Sequence, residues 1–365
     1  MHASIIQKDC EKGIALTIKN RKVNGRRGLW GWDWCGKMGK ERWDFVRGNV
    51  LIVGAGVLDV LVCPVKEDVF RKGSVPVETI RVSAGGDGLN EATVLARLKG
   101  KEKGQEGVRL LTLLGEDEAG EMIWGHCERE GICMELSVRD RDVCTGVNVV
   151  MVEENGERSF FTNPSSSLRK LSIEHMPQSF PGDVGILCFA SIFVSPLFGG
   201  REMAELFRRA KEQGILVCAD MTKCKNQETT EDIKEALSYL DYLFANQEEA
   251  NMVTGKESTE EMAEVLYNCG VKNVIIKCGG KGCYVKNASL KRSFPAAEGV
   301  RCVDTTGAGD SFAGGFLYAL AEGKTFTECV RYGNACGSLA VETVGACTGI
   351  INKEQAEKRM ECLRD

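Results

Sequence analysis

The chain has 365 residues, with 47 lysines and arginines against 52 aspartates and glutamates, a formal net charge of −5, and 43% hydrophobic residues. This is the composition of an ordinary globular protein with one large or two smaller domains, and its charge argues against a nucleic-acid surface across the whole molecule. No apolar run reaches the roughly 20 residues that cross a bilayer, no signal peptide is evident, and the 17 cysteines include no C-x-x-C pair, so we expect reduced thiols in a cytoplasmic protein without membrane or nucleic-acid partners.

The first 48 residues differ in charge from the rest of the chain. They contain 11 lysines and arginines against 5 aspartates and glutamates, and four of the five tryptophans, Trp30, Trp32, Trp34 and Trp43. A basic, Trp-bearing arm is compatible with contact to nucleic acid or to a membrane surface. Since no helical or strand periodicity runs through it, we favour a simpler interpretation, in which residues 1–48 are an extension outside the fold.

The folded domain is predicted to begin at Asn49. Residues 50–53 form a continuous apolar run, which is typical of a strand that is covered on both faces. Gly54 and Gly56 follow, but Asp59 stands where a dinucleotide fingerprint needs its third glycine, so a nicotinamide oxidoreductase is a weak alternative. Asp59 is either a turn residue or a ligand for hydroxyl groups, because a carboxylate can accept more than one hydroxyl proton.

A second strand and a glycine-rich helix start come next. Residues 75–82 alternate apolar with polar side chains, which indicates a strand with one wet face. They lead into the sequence SAGGDGLN over 83–90, and the helix after it places Ala92, Leu95, Ala96 and Leu98 on its buried side. Residues 108–114 form another apolar strand, followed by a helix with acidic residues at its start, as the helix dipole favours.

A hairpin is predicted further along the chain. Residues 145–152 and 158–162 flank Asn155-Gly156, which is a strong turn signal between strands. Together with the strand at 75–82, this hairpin is expected to form a small sheet that stands over the functional site.

From residue 183 onward, apolar strands alternate with amphipathic helices, which is the pattern of a parallel sheet wrapped by helices. Functional groups of such sheets collect where the strands end. Asp220 follows one predicted strand, and Asn246 and Glu249 follow the next as N-x-x-E; an exposed polar helix start is the simpler interpretation of that motif. A further strand at 274–277 runs into a glycine turn that contains Gly279 and Gly282.

The most informative stretch is VDTTGAGDSFAGGF over 303–316. A strand-like segment at 300–303 is predicted to feed a helix through Gly307 and Gly309. At such a junction the first helical N–H groups lack partners and glycine admits a phosphate, so the turn is suited to binding an anion. Asp310 in this turn either caps the helix or acts as a general base on a hydroxyl that attacks the bound phosphate.

Taken together, the sequences DTTGAGDSFAGGF at 304–316, GGDGLN at 85–90 and N-x-x-E at 246–249 strongly resemble the ribokinase-like carbohydrate kinases of the PfkB family, over about 49–352. The resemblance implies a three-layer α/β/α fold with a mostly parallel central sheet and a small β-sheet lid. It places the kinase domain at 49–355, with lid strands within about 71–84 and 143–163, and leaves residues 356–365 as a C-terminal tail.

The resemblance also implies the roles of individual residues. Asp310 matches the catalytic base, and Gly307, Ala308 and Gly309 match the anion hole around it. The residues that match the acceptor site are Asp59, Gly85, Gly86, Asn90 and the lid residues Asn148 and Arg158. The residues that match the ATP site are Asn246, Glu249, Lys277, Gly279, Gly282, Thr306 and Asn334. Glu249 would also hold Mg²⁺ through water, and a K⁺-like ion, present in some members, would lie at Asp304, Thr306, Thr343 and Gly345.

The chain departs from the family pattern at two places. Lys277 stands where many members have Thr or Ser, and the residues after Asp220 lack the D-x-N-x-R pattern of some acid-sugar and fructose kinases. Asp87 adds negative charge near the expected sugar, which argues mildly against an acidic acceptor. We therefore expect transfer of the ATP γ-phosphate to a hydroxymethyl group of a neutral sugar-like alcohol. A nucleoside kinase of the same fold and a non-catalytic sugar- or nucleotide-binding regulator stay open, and the lid makes a homodimer plausible.

Overall fold

The computed structural model describes residues 48–66, 69–100, 107–153 and 158–363. The predicted extension over 1–48 therefore lies outside the described residues, apart from Gly48. The strands are β1 (Asn49–Val53), β2 (Val57–Val65), β3 (Thr79–Gly85), β4 (Val108–Leu111), β5 (Leu113–Gly115), β6 (Val138–Asp140), β7 (Val147–Glu153), β8 (Arg158–Thr162), β9 (Val184–Ile192), β10 (Leu216–Met221), β11 (Tyr242–Asn246), β12 (Asn273–Lys277), β13 (Cys283–Lys286) and β14 (Lys291–Phe294).

Ten α-helices connect these strands within the described residues. They are α1 (Val69–Lys72), α2 (Asp87–Lys99), α3 (Glu118–Glu130), α4 (Gly200–Glu212), α5 (Lys234–Ser238), α6 (Gln247–Thr254), α7 (Thr259–Asn268), α8 (Ala308–Ala321), α9 (Phe326–Ala340) and α10 (Lys353–Met360). Over the part of the chain that the structure describes, no helix is both long enough and apolar enough to cross a membrane.

The central sheet has eight strands in the order β14-β13-β12-β11-β10-β9-β1-β4. The six strands from β12 to β4 are parallel, and β13 and β14 add an antiparallel edge. This matches the alternation of strands and helices in the sequence, because parallel neighbours need a crossover connection that a helix provides. The predicted strands within 183–277 are therefore confirmed, with ends that differ by a few residues.

Alternate residues of the central strands face two separate cores. Val50 and Ile52 lie in a core with α2, α8 and α9, whereas Leu51 and Val53 lie in a core on the opposite face with α4 and α7. All four side chains are fully buried, which explains why this strand reads as one continuous apolar run. The two cores make the molecule a sheet with helices on both sides, as the sequence predicted.

A separate four-stranded sheet, here called the lid sheet, has the order β3-β2-β7-β8. The predicted hairpin is confirmed, since β7 and β8 pair in antiparallel register, with Asn148 opposite Thr162; its turn at 154–157 lies outside the described residues. The predicted strand at 75–82 is displaced to 79–85. The inner strand β2 was not predicted; three residues separate it from β1, and it carries Asp59. The outer face of this sheet exposes Ile80 and Val82, and the expected homodimer through it stays a prediction.

Three further expectations need correction. Residues 300–303 form no strand; the backbone N–H of Val303 bonds to the carbonyl of Val341 at 2.7 Å, but no ladder continues from it. The apolar run at 108–114 is divided at Thr112 into β4 and β5, and β5 pairs with β6. The predicted tail at 356–365 starts inside α10, whose Ala356 is fully buried, so its described residues belong to the folded domain.

Candidate active site

The carboxyl ends of three neighbouring parallel strands carry polar side chains at one edge of the central sheet. Asp220 lies near the end of β10, Asn246 ends β11, and Lys277 ends β12 and is in register with Asn246. Ligands of open α/β sheets bind in the crevice beyond these ends. The start of α8 faces the same crevice, because an added Cβ at Gly309 would lie 3.1 Å from Nζ of Lys277.

The turn before α8 depends on glycine. Gly307 has φ 70°, and an added Cβ there would lie 2.3 Å from the carbonyl oxygen of Ala346. A side chain is therefore excluded by backbone conformation and by space. The N–H of Ala308 makes a long 3.3 Å bond to the carbonyl of Thr305. The first turn of a helix presents N–H groups without i−4 partners, so this end of α8 is suited to an anion.

Asp310 lies in that first turn, and Asn90 of α2 contacts it directly. Nδ2 of Asn90 donates a hydrogen bond to Oδ2 of Asp310 at 2.7 Å. Burial raises the pKa of Asp310, and the bond from Asn90 and the charge of Lys277 partly offset the rise. The two sequence motifs, at 85–90 and 304–316, therefore open onto one site.

Lys277 and Asp220 form a buried ion pair beside Asp310. Nζ of Lys277 lies 2.7 Å and 2.8 Å from the two carboxylate oxygens of Asp220, and the side chains are 13% and 5% exposed. Burial alone would lower the pKa of Lys277, but the carboxylates of Asp220, Glu249 and Asp310 keep it above its ordinary value. Lys277 therefore stays charged at neutral pH, with its ammonium next to the start of α8.

Five buried carboxyl groups interact with one another here, namely Asp87, Glu91, Asp220, Glu249 and Asp310, and all of them except Asp87 also interact with the charge of Lys277. Burial and mutual repulsion raise the pKa of Asp87 to about 8, and burial, with Lys277 opposing it, raises that of Asp220 to about 7. The pKa of Glu91 is raised well above its ordinary value, chiefly by burial. A site with this many acids around one cation favours protonation of some of them and attracts further positive charge.

Glu91 is a site residue that sequence reasoning missed. It is fully buried in α2, Sγ of Cys188 donates to its Oε2 at 3.3 Å, and its Oε1 has no hydrogen-bond partner in the described structure. The available signal was a glutamate one residue after Asn90, in a helix whose other buried residues include Asn90 and Thr93 as well as apolar side chains. Asp87, predicted only to add charge, accepts a hydrogen bond from Ser191 Oγ at 3.3 Å.

The predicted acceptor residues converge on the lid sheet and the start of α2. Nδ2 of Asn148 donates to Oδ1 of Asp59 at 2.9 Å, from the neighbouring strand. Burial raises the pKa of Asp59, and this bond opposes the rise. An added Cβ at Gly85 would lie only 2.2 Å from Oδ2 of Asp59, and Gly86 has φ 96°. Only the backbone of Arg158 is described, paired with Val152.

Asn246 and Glu249 form a capping box at the start of α6. Oδ1 of Asn246 accepts from the backbone N–H of Glu249 at 2.8 Å, and Oε2 of Glu249 accepts from the N–H of Asn246 at 2.7 Å. The motif therefore begins a helix, as the simpler interpretation predicted, but that interpretation was wrong in expecting the residues to be exposed. Glu249 is only 9% exposed, however, and burial raises its pKa, with Lys277 opposing the rise, so the same residue is also a member of the carboxyl cluster.

The remaining nucleotide-side residues lie after β12 and on α9. Gly279 has φ 56°, and Gly282 has φ 90° with the carbonyl of Phe294 only 2.0 Å from an added Cβ. Asn334 is buried and donates to the carbonyl of Pro295 at 3.2 Å. Its amide therefore holds the segment after β14 in place.

The residues predicted for a monovalent ion form a braced loop. Asp304 accepts from the backbone N–H of Thr306 at 2.9 Å and from that of Gly345 at 3.0 Å. Gly345 has φ 104°, and the hydroxyl of Thr343 lies 2.9 Å from that of Thr348. Asp304 thereby ties the turn before α8 to residues 343–348.

A cavity of about 400 Å³ lies between the lid sheet, α2 and the loop at 344–348. Asp59 and Asn90 line it together with Asp304, Thr306 and Gly345. Its volume is within the range of small-molecule sites. The described lining therefore contains two predicted acceptor residues and three predicted ion residues, of which Thr306 was also predicted for ATP. Asp310 and the other predicted ATP-site residues do not line this cavity.

The arrangement agrees with the comparisons with known proteins. Residues 49–353 match the model of the family described as pfkB family carbohydrate kinase. A ribokinase of Haemophilus influenzae is 28% identical over 289 residues, which are 78% of this chain and 89% of that protein. An aminoimidazole riboside kinase of Salmonella typhimurium is 28% identical over 321 residues, 84% of this chain and 93% of that protein. The structure of an Arabidopsis thaliana ribokinase complexed with ribose and ATP superposes with a TM-score of 0.69 at 25% identity, covering 86% of this chain and 99% of that one.

Proposed function

Because the chain belongs to the pfkB family of carbohydrate kinases, we propose that it transfers the γ-phosphoryl group of ATP to a hydroxymethyl group of a sugar or sugar-like alcohol. The observation that carries this proposal is the 2.7 Å hydrogen bond between Asn90 and Asp310. It joins the segment that would hold the acceptor to the side chain that would activate it. The binding of ribose and ATP by the Arabidopsis relative supports the same pair of substrates.

Asp310 is the proposed general base. As the acceptor oxygen forms its bond to the γ-phosphorus, the bond from that phosphorus to the oxygen of ADP breaks, and the acceptor proton moves to a carboxylate oxygen of Asp310. A general base works best when its pKa lies near the operating pH. Burial moves the pKa of Asp310 in that direction, while the bond from Asn90 fixes one carboxylate oxygen and leaves the other for the acceptor.

Stabilisation of the transferred phosphoryl group is assigned to the start of α8 and to Lys277. Phosphoryl transfer depends mainly on positioning and on electrostatic stabilisation of the equatorial oxygens. The N–H groups around Gly307 to Asp310 provide donors, and the ammonium of Lys277 lies beside Gly309. Asp220 is a positioning residue in this proposal, since its two oxygens hold Nζ in place. Lys277 thus provides a charge at a position where Thr or Ser would provide only a hydroxyl.

The metal ions that the family implies fit the residues present. Oε2 of Glu249 accepts from Asn246, which leaves Oε1 for a metal-bound water, and Mg²⁺ at kinase sites takes only one or two protein carboxylates. Among the described residues no three Asp, Glu, His or Cys side chains form a metal cage, in agreement with such a sparse ligand set. Mg²⁺ bound with ATP supplies neutralisation of the phosphate charge. For K⁺, the loop that Asp304 braces offers oxygen ligands from its backbone.

The acceptor is held from the lid sheet and from α2. Asp59 and Asn148 offer a carboxylate and an amide to hydroxyl groups, and Gly85 and Gly86 let the backbone approach the ring. The surplus of carboxyl groups around Asp310 disfavours an acidic group close to the reacting hydroxyl. A neutral polyol end is therefore the better fit at this part of the cavity.

The experiment that tests this function is a coupled ADP-release screen with Mg²⁺ and K⁺ over neutral sugars, sugar phosphates and nucleosides. We expect ADP release that depends on an acceptor with a free hydroxymethyl group and that the Asp310→Asn variant loses. If the protein bound ATP but released no ADP in the presence of any compound of the panel, that result would instead support a non-catalytic regulator.

A further inference from the structure

The cavity that contains Asp59 and Asn90 extends well past them. Asn90, Thr93 and Arg97 all line it, and these positions lie on one face of α2 at i, i+3 and i+7. With a rise of 1.5 Å per residue, the cavity follows the helix for about 10 Å. The lid sheet extends it in the same way, because Leu61 lies two residues beyond Asp59 on β2. A single sugar ring held at Asp59 and Asn90 would fill only the near part.

The far end of the cavity, defined here by Leu61, Met122, His126, Arg129 and Phe160, has apolar walls. Phe160 and Leu61 come from the lid sheet, and Met122 comes from α3. Phe160 is 59% exposed and Met122 is 49% exposed. Large apolar side chains that line a cavity and remain exposed are typical of a surface that a ligand covers.

One edge of the far end offers hydrogen bonds to a neutral group. The Thr93 hydroxyl donates its proton to the carbonyl of Leu89 at 2.7 Å, so Nε2 of His126, 2.9 Å from the same oxygen, carries a proton and donates to it. Nδ1 of His126 is then an acceptor. Burial and the nearby arginines lower the pKa of His126, with Glu130 opposing them, so the imidazole is neutral at pH 7.

Of the three arginines that line the cavity, Arg81 on β3 is exposed, and Arg97 has its charge compensated. Arg97 donates to both carboxylate oxygens of Glu130, at 3.2 Å and 2.6 Å, and to the carbonyls of Cys347 and Ile350. Arg129 is exposed on α3. An exposed guanidinium beside a neutral imidazole is a weaker anion site than a buried pair of arginines, and it remains available as a hydrogen-bond donor.

We propose that the far end is a subsite for a planar nitrogen heterocycle attached to the sugar, so that the acceptor is a nucleoside. This inference rests on the proposed kinase function and narrows its substrate class. The faces of the heterocycle pack between Phe160 and Leu61 on one side and Met122 on the other. Its amino and ring-nitrogen edge meets Nδ1 of His126 and the guanidinium of Arg129, while the hydroxyl groups of the sugar meet Asp59 and Asn90.

The test compares kcat/KM for adenosine and cytidine with that for ribose and for fructose 6-phosphate. Fructose 6-phosphate is included because its phosphate would bind if the far end were an anion-binding site. We expect at least one nucleoside to exceed every free sugar by tenfold or more. Stacking of a base on an aromatic side chain contributes enough for its loss to cost roughly 5- to 100-fold. Phe160→Ala should therefore lower the nucleoside value by that factor and change the ribose value less than twofold. His126→Ala should act in the same direction.

The matched control is Phe161→Ala. Phe161 follows Phe160 on β8 and so points to the opposite face of the lid sheet, and we expect the ratio of nucleoside to ribose kcat/KM to be unchanged in this variant. A ribose value equal to or above the nucleoside values would overturn the subsite. So would a preference for fructose 6-phosphate that Arg129→Ala removes, since that would identify an anion site.

The failure of the kinase proposal is distinguishable from the failure of this one. If no compound on the panel releases ADP, the binding of adenosine, cytidine and ribose to the ATP-free protein is measured by titration calorimetry. Nucleoside binding that Phe160→Ala weakens supports the subsite even then. Ribose binding that no nucleoside matches overturns the subsite, as does the absence of nucleoside binding at millimolar concentration.

Discussion

Asn90 and Asp310 are 220 residues apart in the chain and share a hydrogen bond of 2.7 Å. The bond connects the start of α2 with the start of α8, and these two helices pack in the same core. One consequence is electrostatic, because a hydrogen bond donated to a carboxylate favours its ionised form. The second is geometric, since a fixed oxygen leaves its partner oxygen in a defined direction.

We expect Asp310→Asn to lower kcat by at least two orders of magnitude while the dissociation constant of ATP changes little. General-base catalysis typically contributes about 10²- to 10⁴-fold, and asparagine keeps the shape of the side chain without its basicity. Steady-state kinetics and ATP titration measure the two quantities. Asp117 is a matched aspartate at a helix start, where it caps α3 through the N–H of Gly120. Asp117→Asn should cost stability and little turnover, and near-wild-type turnover of Asp310→Asn would exclude Asp310 as the general base.

The acid limb of kcat/KM should move to higher pH in the Asn90→Ala variant. Asp310 must be ionised to accept a proton, so activity is lost as the pH falls through its pKa. The bond from Asn90 lowers that pKa against the effect of burial, and its removal should raise it. A pH profile from 4.5 to 8 checks the shift. An acid limb at the same pH in both proteins would assign it to another group, such as Asp87.

Lys277→Met should destabilise the protein more than the double variant Lys277→Met/Asp220→Asn. Removal of one partner of a buried ion pair leaves an uncompensated charge and costs about 3–5 kcal/mol, whereas neutral replacement of both partners costs less. Urea unfolding at pH 7.5 measures both. In the single variant the pKa of Asp220 in the folded state lies further above its unfolded value, so the lost stability should return as the pH falls towards 5. A pH-independent loss would contradict this explanation.

The single substitution Lys277→Met should lower kcat/KM for ATP about 100-fold, which is the usual cost of removing a donor from a site that stabilises developing charge. Asp220→Asn should have a smaller effect on kcat/KM than Lys277→Met, because the ammonium remains and only its position is less fixed. If Asp220→Asn were as damaging as Lys277→Met and gave an unchanged pH profile, Asp220 would have a direct role that the proposed positioning does not include.

Replacement of K⁺ by a large organic cation such as choline should lower kcat/KM, and Asp304→Asn should remove the difference between the two salts. Asp304 accepts two backbone N–H groups that shape the loop, and an amide can accept at only one of its two positions. Glu342→Gln is the control in the same loop, since the Glu342 carboxylate pairs with Arg359 at 2.6 Å. Equal rates in both salts for the wild-type protein would exclude a monovalent-ion requirement.

The central sheet was predictable from the sequence because its strands are buried on both faces and read as apolar runs. The lid strand β2 was not. Its sequence contains Asp59 and Pro64, which resemble turn residues, and its partners at 79–85 and 147–153 are distant in the chain. The predicted strand at residues 300–303 was wrong for the opposite reason. Their composition is strand-like, but within the described residues the backbone of Val303 bonds to Val341 without forming a strand ladder.

The site residues also differ in whether the local sequence or the folded sheet reveals them. Asp310, Asn90 and Asp59 stand in recognisable motifs, so their convergence was expected. The pairing of Asp220 with Lys277 joins two strand ends that are 57 residues apart, and only the sheet order places them side by side. Glu91 left almost no pattern, because a single buried glutamate in an apolar helix has the same composition as an exposed one.

Three residues separate the strand that carries Asp59 from β1, which lies between β9 and β4 in the central sheet. Asp59 therefore belongs to the lid sheet, while Asp310 belongs to the first turn of α8. An alcohol that bound both carboxylates would connect the lid sheet to the start of α8, whereas a water molecule is too small to contact more than one of them. We thus expect ATP hydrolysis to be slow when no acceptor is present, because water does not bind to Asp59 and Asp310 at the same time.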